Sequence, residues 1–192
     1  PEDMEFTLKQ NRMNYFFSDV NIRGEYPVHM LRYFKKQGIR IQMEETDEEL
    51  LRQYTCDFVA CTCYGMFVLD SSKYELEPFS CMKFSENPYT KDQIVDAFGA
   101  TYYTVMQLWE RYHKPVLVAE AGMSAREGIE NGKIHDDYRI EYYRRNFEQL
   151  KECILDGAEI IAYCCWGPID LVASRSSEMS RRYGFVYVDK QD

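Results

Sequence analysis

Three short apolar runs place the strongest limits on how this 192-residue chain can fold. They are Phe58–Cys63, Val116–Ala119 and Ile160–Cys165, and each has the length and the apolar content of a buried strand. A segment with helical spacing precedes each run. Strands that alternate with helices are typical of parallel βα units, whose sheet is covered on both faces. The sequence therefore predicts an α/β fold with about three parallel βα units.

The residues before the first run predict an extra N-terminal helical segment. A helix over Glu2–Phe17 is followed by a turn at Asn21–Gly24. A second helix is expected to begin near Pro27, which suits a first turn, and to end at Gly38. Its buried face is predicted to consist of Val28, Leu31 and Phe34. 

Further helix and loop signals separate the predicted strands. Thr46 and Glu49 have the capping-box spacing that opens a short helix. The remaining predicted segments are an irregular connection over Leu69–Thr90, a helix over Gln93–Tyr112, a polar loop over Gly122–Lys133, a helix from Asp136 to about Leu155 with Gly157 as its C-cap, and a final strand-like run over Phe185–Val188.

Charge and hydropathy exclude two classes of partner. The formal net charge is −9 and the pI is near 5.0, whereas phosphate-backbone binding needs clustered Lys and Arg. The basic cluster of Arg139, Arg144 and Arg145 alternates with glutamates and is predicted to be a solvated helix face. No apolar run reaches the roughly 18 residues of a membrane span, and no signal-peptide pattern opens the chain. We therefore expect a cytoplasmic protein with no nucleic-acid or membrane partner.

The cysteines do not indicate a disulfide framework. There are seven, an odd number, and four of them lie inside the apolar runs, so most are expected to be reduced, buried side chains. Metal sites use closely spaced Cys and His ligands, and His29, His113 and His135 lie in separate segments. No metal or other cofactor is predicted.

Glu120 is the first candidate for a functional residue. It directly follows the predicted strand Val116–Ala119, and Gly122 begins the next loop. In parallel βα barrels the chemistry lies at the C-terminal ends of the strands, which is where a catalytic carboxylate belongs. An ordinary charged residue at the start of a surface loop fits the same position equally well. Position alone leaves both interpretations open.

Several longer motifs in order along the chain resemble one enzyme family. They are FFSDVNIRGEYPVHMLRYFKKQGI, NPYTKD, WERYHKPVLVAEAG, GKIHDDYRIEYYRRNFEQLKECILDG, YCCWGPIDLV and MSRRYGFVYVD. Together they resemble the last part of family 1 glycoside hydrolases, and in particular the 6-phospho-β-glucosidase branch. The resemblance implies a partial (β/α) barrel, with residues 1–192 as a single domain that forms the C-terminal portion of a TIM-barrel glycosidase.

The resemblance assigns catalytic roles residue by residue. Glu120 matches the family's nucleophile, which attacks the anomeric carbon and forms a glycosyl ester. Retaining chemistry also needs a second carboxyl group roughly 5 to 5.5 Å away, which acts first as acid and then as base. In the family that group belongs to an Asn-Glu-Pro motif on an earlier strand, and this tripeptide does not occur in the chain. Glu86 precedes Asn87 in the wrong order for it.

The resemblance also implies a substrate-binding set. Trp166 matches the tryptophan that packs on the pyranose, although a core or interface tryptophan is the alternative. The 6-phosphate grip resembles a Ser, Lys and Tyr set. Tyr183 keeps its place, Arg181 replaces Lys, and Ser174 or Ser176 supplies the hydroxyl. Loop salt bridges formed by Arg181 and Arg182 are an equally open interpretation.

Departures from the family pattern concentrate where sugar would bind. Ala121 stands where the family has Asn, and the usual Trp-Gly-Trp region is missing. Of two family tyrosines on the first strand, the one that bonds near the nucleophile is replaced by Cys63, and Tyr64 is retained as a candidate substrate-binding residue. A drifted fragment and a deliberately rebuilt half-barrel both explain this clustering.

Two functional hypotheses follow. The first is a retaining β-glycosidase fragment that carries Glu120, is inactive alone, and takes a phosphorylated β-glucoside once another barrel segment complements it. The alternative is a non-catalytic, engineered half-barrel that self-associates as a homo-oligomer, because open sheet edges attract further strands.

Overall fold

The computed structural model describes residues 2–64, 99–126, 128–173 and 177–189. Within these ranges, the residues up to 58 belong to one compact unit and those from 59 onward belong to a second. The predicted connection Leu69–Thr90, the first part of the helix predicted over Gln93–Tyr112, and Glu86 lie outside the described residues.

The first unit is helical, as the sequence predicts. Its helices are α1 (Glu2–Asn14), α2 (Phe16–Arg23), α3 (Val28–Lys36) and α4 (Asp47–Gln53). Four buried side chains form its core: Phe16 and Val20 of α2, and Met30 and Phe34 of α3. The rings of Phe16 and Phe34 meet edge to face with their centroids 5.4 Å apart, a favourable aromatic geometry.

The predicted turn at Asn21–Gly24 is wrong, because α2 continues to Arg23. The first helix instead breaks at Tyr15, between α1 and α2. Gly24 then ends α2 with a left-handed φ of 71°. A Cβ at Gly24 would lie 2.7 Å from the carbonyl oxygen of Leu51, so glycine is required both for this conformation and for the close contact with α4.

The predicted buried face of α3 is correct only at Phe34. Val28 is 80% exposed and Leu31 is also exposed, whereas Met30 is buried together with Phe34. Residues four apart lie on the same side of a helix, so the core selects the Met30–Phe34 pair.

The short helix predicted after Thr46 is confirmed, but its capping box is wrong. The Thr46 side chain makes no cap hydrogen bond. The carboxylate of Asp47 instead accepts a 2.8 Å bond from the Glu44 N–H, so the preceding turn is stabilised by the neighbouring residue.

The second unit contains the three predicted strands. Its elements are β1 (Val59–Thr62), α5 (Ala100–Tyr112), β2 (Val116–Ala121), β3 (Ala125–Arg126), α6 (Asp137–Leu155), β4 (Ile160–Cys165) and β5 (Arg181–Arg182). Strands β1, β2 and β4 form a parallel sheet in the order β1-β2-β4, and β3 pairs antiparallel with β5. The predicted α/β fold with three parallel strands is confirmed.

The two faces of the parallel sheet differ in burial. On the side that holds the core, Val59, Val116 and Val118 are at most 4% exposed. Helices α5 and α6 pack against each other, and the Thr101 hydroxyl of α5 donates a hydrogen bond to Asn146 of α6. On the other side, Ala60 and Ala119 are exposed. One face of the sheet is therefore open in the described part of the chain.

Several boundaries differ from the sequence predictions. Strand β2 extends to Ala121, because backbone pairing with β4 continues to Cys165. The predicted loop Gly122–Lys133 contains β3. Phe185–Val188 is not a strand, since only Val186 forms a bridge, with Ile169. Helix α6 is capped at Asp156, and Gly157 follows with a φ of 93°.

The described cysteines are free thiols, as predicted, but their burial varies. Cys63 and Cys153 are buried. Cys164 is exposed on β4, so the expectation that the strand cysteines are buried is wrong at this position. Burial raises the pKa of Cys153 to about 11 and that of Cys61 to about 12, which keeps both thiols protonated and unreactive at neutral pH.

Candidate functional site

The C-terminal ends of the three parallel strands meet at one edge of the sheet. The N–H of Cys63, just after β1, donates a 2.8 Å bond to the Glu120 carbonyl of β2. The N–H of Trp166, just after β4, donates a 2.7 Å bond to the Ala121 carbonyl. Glu120 is the next-to-last residue of β2 rather than the first residue after it. These backbone bonds bring Glu120 and Trp166 to the same edge.

Tyr64 contacts the Glu120 side chain. Its phenol donates a hydrogen bond to the Glu120 Oε1 atom. Removal from water and then this bond to Glu120 raise the pKa of the Tyr64 phenol, so the group stays a neutral donor. A neutral phenol that donates to a carboxylate oxygen holds that carboxylate in one orientation.

The expected loss of the tyrosine contact at Cys63 is therefore a wrong prediction. Tyr64 supplies the hydrogen bond to Glu120, whereas the buried Cys63 thiol lies 3.7 Å from the Thr101 hydroxyl of α5. Adjacent residues of an extended chain point in opposite directions, so only one of the two can face Glu120.

Two further tyrosines lie near Tyr64. Tyr183 and Tyr142 both lie close enough to contribute to its raised pKa. Tyr183 was predicted, whereas Tyr142, buried on α6, was missed. The adjacent pair Tyr142 and Tyr143 in a helix otherwise rich in charged residues is the sequence signal that indicates it. The Glu120 carboxylate thus stands beside a cluster of phenols.

Tyr143 is next to Tyr142 on α6 and is also buried. It is 7% exposed, and its ring centroid lies 5.2 Å from that of Tyr142. Burial, followed by the nearby Cys165, raises the pKa of the Tyr143 phenol. A phenol whose pKa is higher in the folded chain than in the unfolded chain contributes fully to stability at pH values below the unfolded pKa, near 10. This contribution is lost as the pH rises from the unfolded pKa through the folded pKa.

We expect Tyr143→Phe to flatten the alkaline loss of stability. At pH 11 the unfolded chain releases the phenolic proton and the folded chain keeps it, which costs the wild type about 1.4 kcal/mol relative to the variant. Urea unfolding at pH 8 and at pH 11 measures this difference. Tyr103→Phe is the control, because the Tyr103 side chain is 43% exposed. Parallel pH profiles for wild type and Tyr143→Phe would contradict the expectation.

Trp166 is held close to the strand that carries Glu120. A Cβ at Gly122 would lie 3.3 Å from the Trp166 Cβ and 3.6 Å from the Tyr143 hydroxyl. The glycine after Ala121 therefore leaves room for Trp166 to pack against β2. Trp166 is partly buried, which leaves part of its surface open for a ligand.

The predicted phosphate-binding residues are only partly brought together. Arg181 of β5 is partly exposed and pairs through the backbone with Arg126 of β3. Tyr183 follows β5 and interacts with Tyr64. Ser174 and Ser176 lie outside the described residues. Of the predicted phosphate-binding residues, the structure therefore places Tyr183 near Tyr64 and Glu120, but it does not show a complete set of Ser, Arg and Tyr there.

Arg182 has the structural role that was the alternative for this loop. Its guanidinium is buried and donates a 2.5 Å bond to the Asp170 Oδ2 atom. Asp170 also accepts 2.9 Å and 3.3 Å bonds from the N–H groups of Gly184 and Val188. Sequence reasoning missed Asp170. This carboxylate fixes the chain that follows Trp166 against the chain that follows Arg182.

The basic cluster on α6 is only partly a solvated face. Arg144 and Arg145 both pair with Glu141 at 2.8 Å near solvent, as predicted. Arg139 is instead 2% exposed and pairs with Asp136, so its assignment to the solvated face is wrong. Its guanidinium also lies 5.1 Å from the centroid of the Tyr138 ring, a cation–π contact.

The described residues contain neither a metal-binding cluster nor a membrane-spanning helix. No group of three or more His, Cys, Asp and Glu side chains is arranged to hold a metal ion in the ranges that the structure covers. Within the same ranges, no helix has the length and apolar character needed to cross a membrane.

Comparison with known proteins decides the family. The model of glycosyl hydrolase family 1 matches residues 1–192. This chain belongs to glycosyl hydrolase family 1. The sequence-based prediction of that family is confirmed.

Curated proteins similar to this chain include two whose names refer to phosphorylated glycosides. A 6-phospho-beta-glucosidase of Dickeya chrysanthemi is 41% identical over 199 residues, and a phospho-cellobiase of Klebsiella oxytoca is 40% identical over 200 residues. Each match covers 100% of this chain but 42% of the relative. The chain therefore spans less than half the length of the curated relatives it matches.

Solved structures of family 1 enzymes confirm the fold. A family 1 β-glucosidase from Thermotoga maritima superposes with a TM-score of 0.77 at 23% identity, covering 99% of this chain and 42% of the other. A β-glucosidase from Exiguobacterium marinum gives 0.74 at 24% identity, covering 97% and 43%. This chain therefore has the fold of part of a TIM-barrel glycosidase.

Proposed function

We propose that this chain is the nucleophile-bearing part of a retaining 6-phospho-β-glucosidase and that it does not hydrolyse glycosides alone. The observation that carries this proposal is the position of Glu120 near the C-terminal end of β2, with its carboxylate hydrogen-bonded by Tyr64. Catalytic residues of TIM barrels lie at that end of the strands. Residues 1–192 then correspond to the C-terminal portion of the barrel.

In the proposed mechanism, Glu120 attacks the anomeric carbon of the sugar and forms a glycosyl ester. The neutral Tyr64 phenol holds the carboxylate in place before the attack. Trp166, beside the same strand edge, supplies an aromatic wall for the apolar face of the pyranose. After the leaving group departs, water hydrolyses the ester with retention of configuration.

The proposed inactivity follows from the missing proton donor. A retaining enzyme protonates the leaving oxygen with a second carboxyl group, which later activates the water. The Asn-Glu-Pro motif that carries this group in the family is absent from the chain. We propose that the group comes from another segment of a complete barrel.

The proposed substrate is a phosphorylated β-glucoside. The names of the Dickeya chrysanthemi and Klebsiella oxytoca relatives indicate phosphorylated substrates for those proteins. In this chain, the residues proposed for the 6-phosphate are Arg181 and Tyr183, with Ser174 as the hydroxyl. Guanidinium groups bind phosphate with two parallel hydrogen bonds, so Arg replaces Lys without loss of charge.

An assay of the purified chain with an aryl 6-phospho-β-glucoside tests the proposal. We expect the released phenol to stay at the level of Glu120→Gln, because the Asn-Glu-Pro motif that carries the acid and base in the family is absent from the sequence. Turnover that the Glu120→Gln variant abolishes would show that the chain carries its own acid and would contradict the proposed inactivity. No turnover together with a stable dimer by light scattering would favour the self-associating, non-catalytic half-barrel instead.

A further inference from the structure

Two arginines stand opposite each other on the small sheet formed by β3 and β5. Arg126 of β3 is the register partner of Arg181 of β5, and the two strands are antiparallel. Residues directly opposite in an antiparallel pair point to the same face, with their Cβ atoms about 5 Å apart. Like charges in such a pair destabilise the sheet unless an anion neutralises them. The Arg126–Arg181 face is therefore a candidate surface for binding an anion.

Glu178 supplies an anion to this face in the folded chain. The Nε and Nη2 atoms of Arg126 donate bonds of 3.2 Å and 3.0 Å to the two oxygens of the Glu178 carboxylate. The Ser180 hydroxyl donates a further 3.3 Å bond to the Oε2 atom. Arg126, then Ser180 and Arg181, lower the pKa of Glu178, so the carboxylate also lies within electrostatic reach of the second guanidinium. Three hydrogen-bond donors therefore converge on one exchangeable negative group.

The same donors match a phosphate group. A guanidinium binds a carboxylate or a phosphate through two parallel hydrogen bonds. A phosphate monoester carries a charge of about −1.5 to −2 and three acceptor oxygens, whereas a carboxylate carries one charge and two oxygens. A phosphate can therefore bond to Arg126 and Arg181 together, which the register of β3 and β5 permits.

The Arg126–Arg181 face meets the edge of the parallel sheet that carries Glu120. Burial alternates along the chain from β5, because Arg182 is buried whereas Arg181 and Tyr183 are partly exposed. This alternation places Arg181 and Tyr183 on one side. Tyr183 in turn interacts with Tyr64, whose phenol donates to the Glu120 carboxylate. An anion on this face is thereby connected to the proposed sugar site.

We propose that Arg126 is a second guanidinium for the phosphate of the sugar and that Glu178 competes with this phosphate for it. On binding, the phosphate takes over the two Arg126 bonds and the Ser180 bond, and the Glu178 side chain, which is already 34% exposed, turns to solvent. A neutral glucoside has no charge with which to displace Glu178. The pair therefore favours phosphorylated over unphosphorylated sugars. This inference rests on the proposed function for the identity of the sugar phosphate.

Phosphate binding to the purified chain tests the inference. Inorganic phosphate, glucose 6-phosphate and glucose are titrated separately, and NMR follows the backbone amides of β3 and β5. Arg126→Gln and Glu178→Gln each remove one partner of the ion pair. Arg144→Gln and Glu141→Gln are the matched controls, because they change the net charge by the same amounts in another exposed pair, whose atoms lie 2.8 Å apart.

We expect both phosphates to bind to the wild type and glucose to leave these amides unchanged. Arg126→Gln should weaken phosphate binding about fivefold or more, and Glu178→Gln should tighten it about threefold. A purely structural ion pair would make both variants change binding in the same direction. Weaker binding in Glu178→Gln would overturn the proposal, as would equal tightening in Glu141→Gln or no phosphate binding to the wild type.

The failure of this inference and that of the proposed function give different results. Binding of inorganic phosphate without binding of glucose 6-phosphate would overturn the assignment of a sugar phosphate to the Arg126–Arg181 face. Binding requires no chemistry at Glu120. Turnover by the chain, or a nucleophile other than Glu120, would therefore count only against the proposed function and leave the binding result intact.

Discussion

Asp170→Ala is expected to lower the unfolding free energy of the chain by about 3–5 kcal/mol, because it leaves the buried guanidinium of Arg182 without its carboxylate. The substitution also removes the acceptor for the N–H groups of Gly184 and Val188. Urea denaturation followed by tryptophan fluorescence measures the change, and Trp166 lies in the segment that Asp170 anchors.

Glu178→Ala is the control for this prediction. Glu178 pairs with Arg126 at 3.0 Å, but the Arg126 side chain is largely exposed, and water replaces the lost partner. We expect the midpoint of unfolding to move far less than in Asp170→Ala. Equal shifts of the unfolding midpoint in the two variants would show that burial of the Asp170–Arg182 pair adds nothing to the stability of the folded chain.

Glu120→Gln is expected to abolish turnover in a chain that has been complemented with the missing barrel portion. The amide cannot form the glycosyl ester, and loss of a nucleophile of this kind lowers kcat by about 10³-fold or more. The rate of phenol release from an aryl 6-phospho-β-glucoside measures the loss, with wild type and variant complexed to the same partner.

Glu159→Gln is the matched control for charge. Glu159 is exposed and directly precedes β4, at the opposite end of the parallel strands from Glu120. The same change of carboxylate to amide there should leave kcat unchanged within about twofold. A similar loss in both variants would point to damage to the complex rather than to a missing nucleophile.

Local sequence patterns predicted the elements that carry Glu120. The runs around Val59, Val118 and Ile160 form the parallel sheet, because strands buried by flanking helices need continuous apolar sequence. Glu120 lies at the C-terminal edge of this sheet because it is next to last in β2. Family motifs then connected Trp166 and Tyr183 to the same region.

Features that depend on contacts between residues far apart in the sequence could not be predicted from local sequence patterns. Asp170 and Arg182 are 12 positions apart in the sequence, and nothing in either local sequence indicates that the two side chains are buried together. Val28 is exposed because another side of α3 packs against Phe16. The spacing of apolar residues within the helix does not determine which side that is. Tyr64 was credited only with substrate binding, since a side chain's partner depends on the strand beside it.

Covalent trapping tests the central claim most directly. The complemented chain is incubated with a 2-deoxy-2-fluoro-β-glucoside 6-phosphate that carries a good leaving group, and the digested protein is examined by mass spectrometry. We predict one fluoroglucosyl phosphate group on the peptide that contains Glu120 and none in Glu120→Gln. A stable label on a different carboxylate, with Glu120 unmodified, would contradict the assignment of Glu120 as the nucleophile.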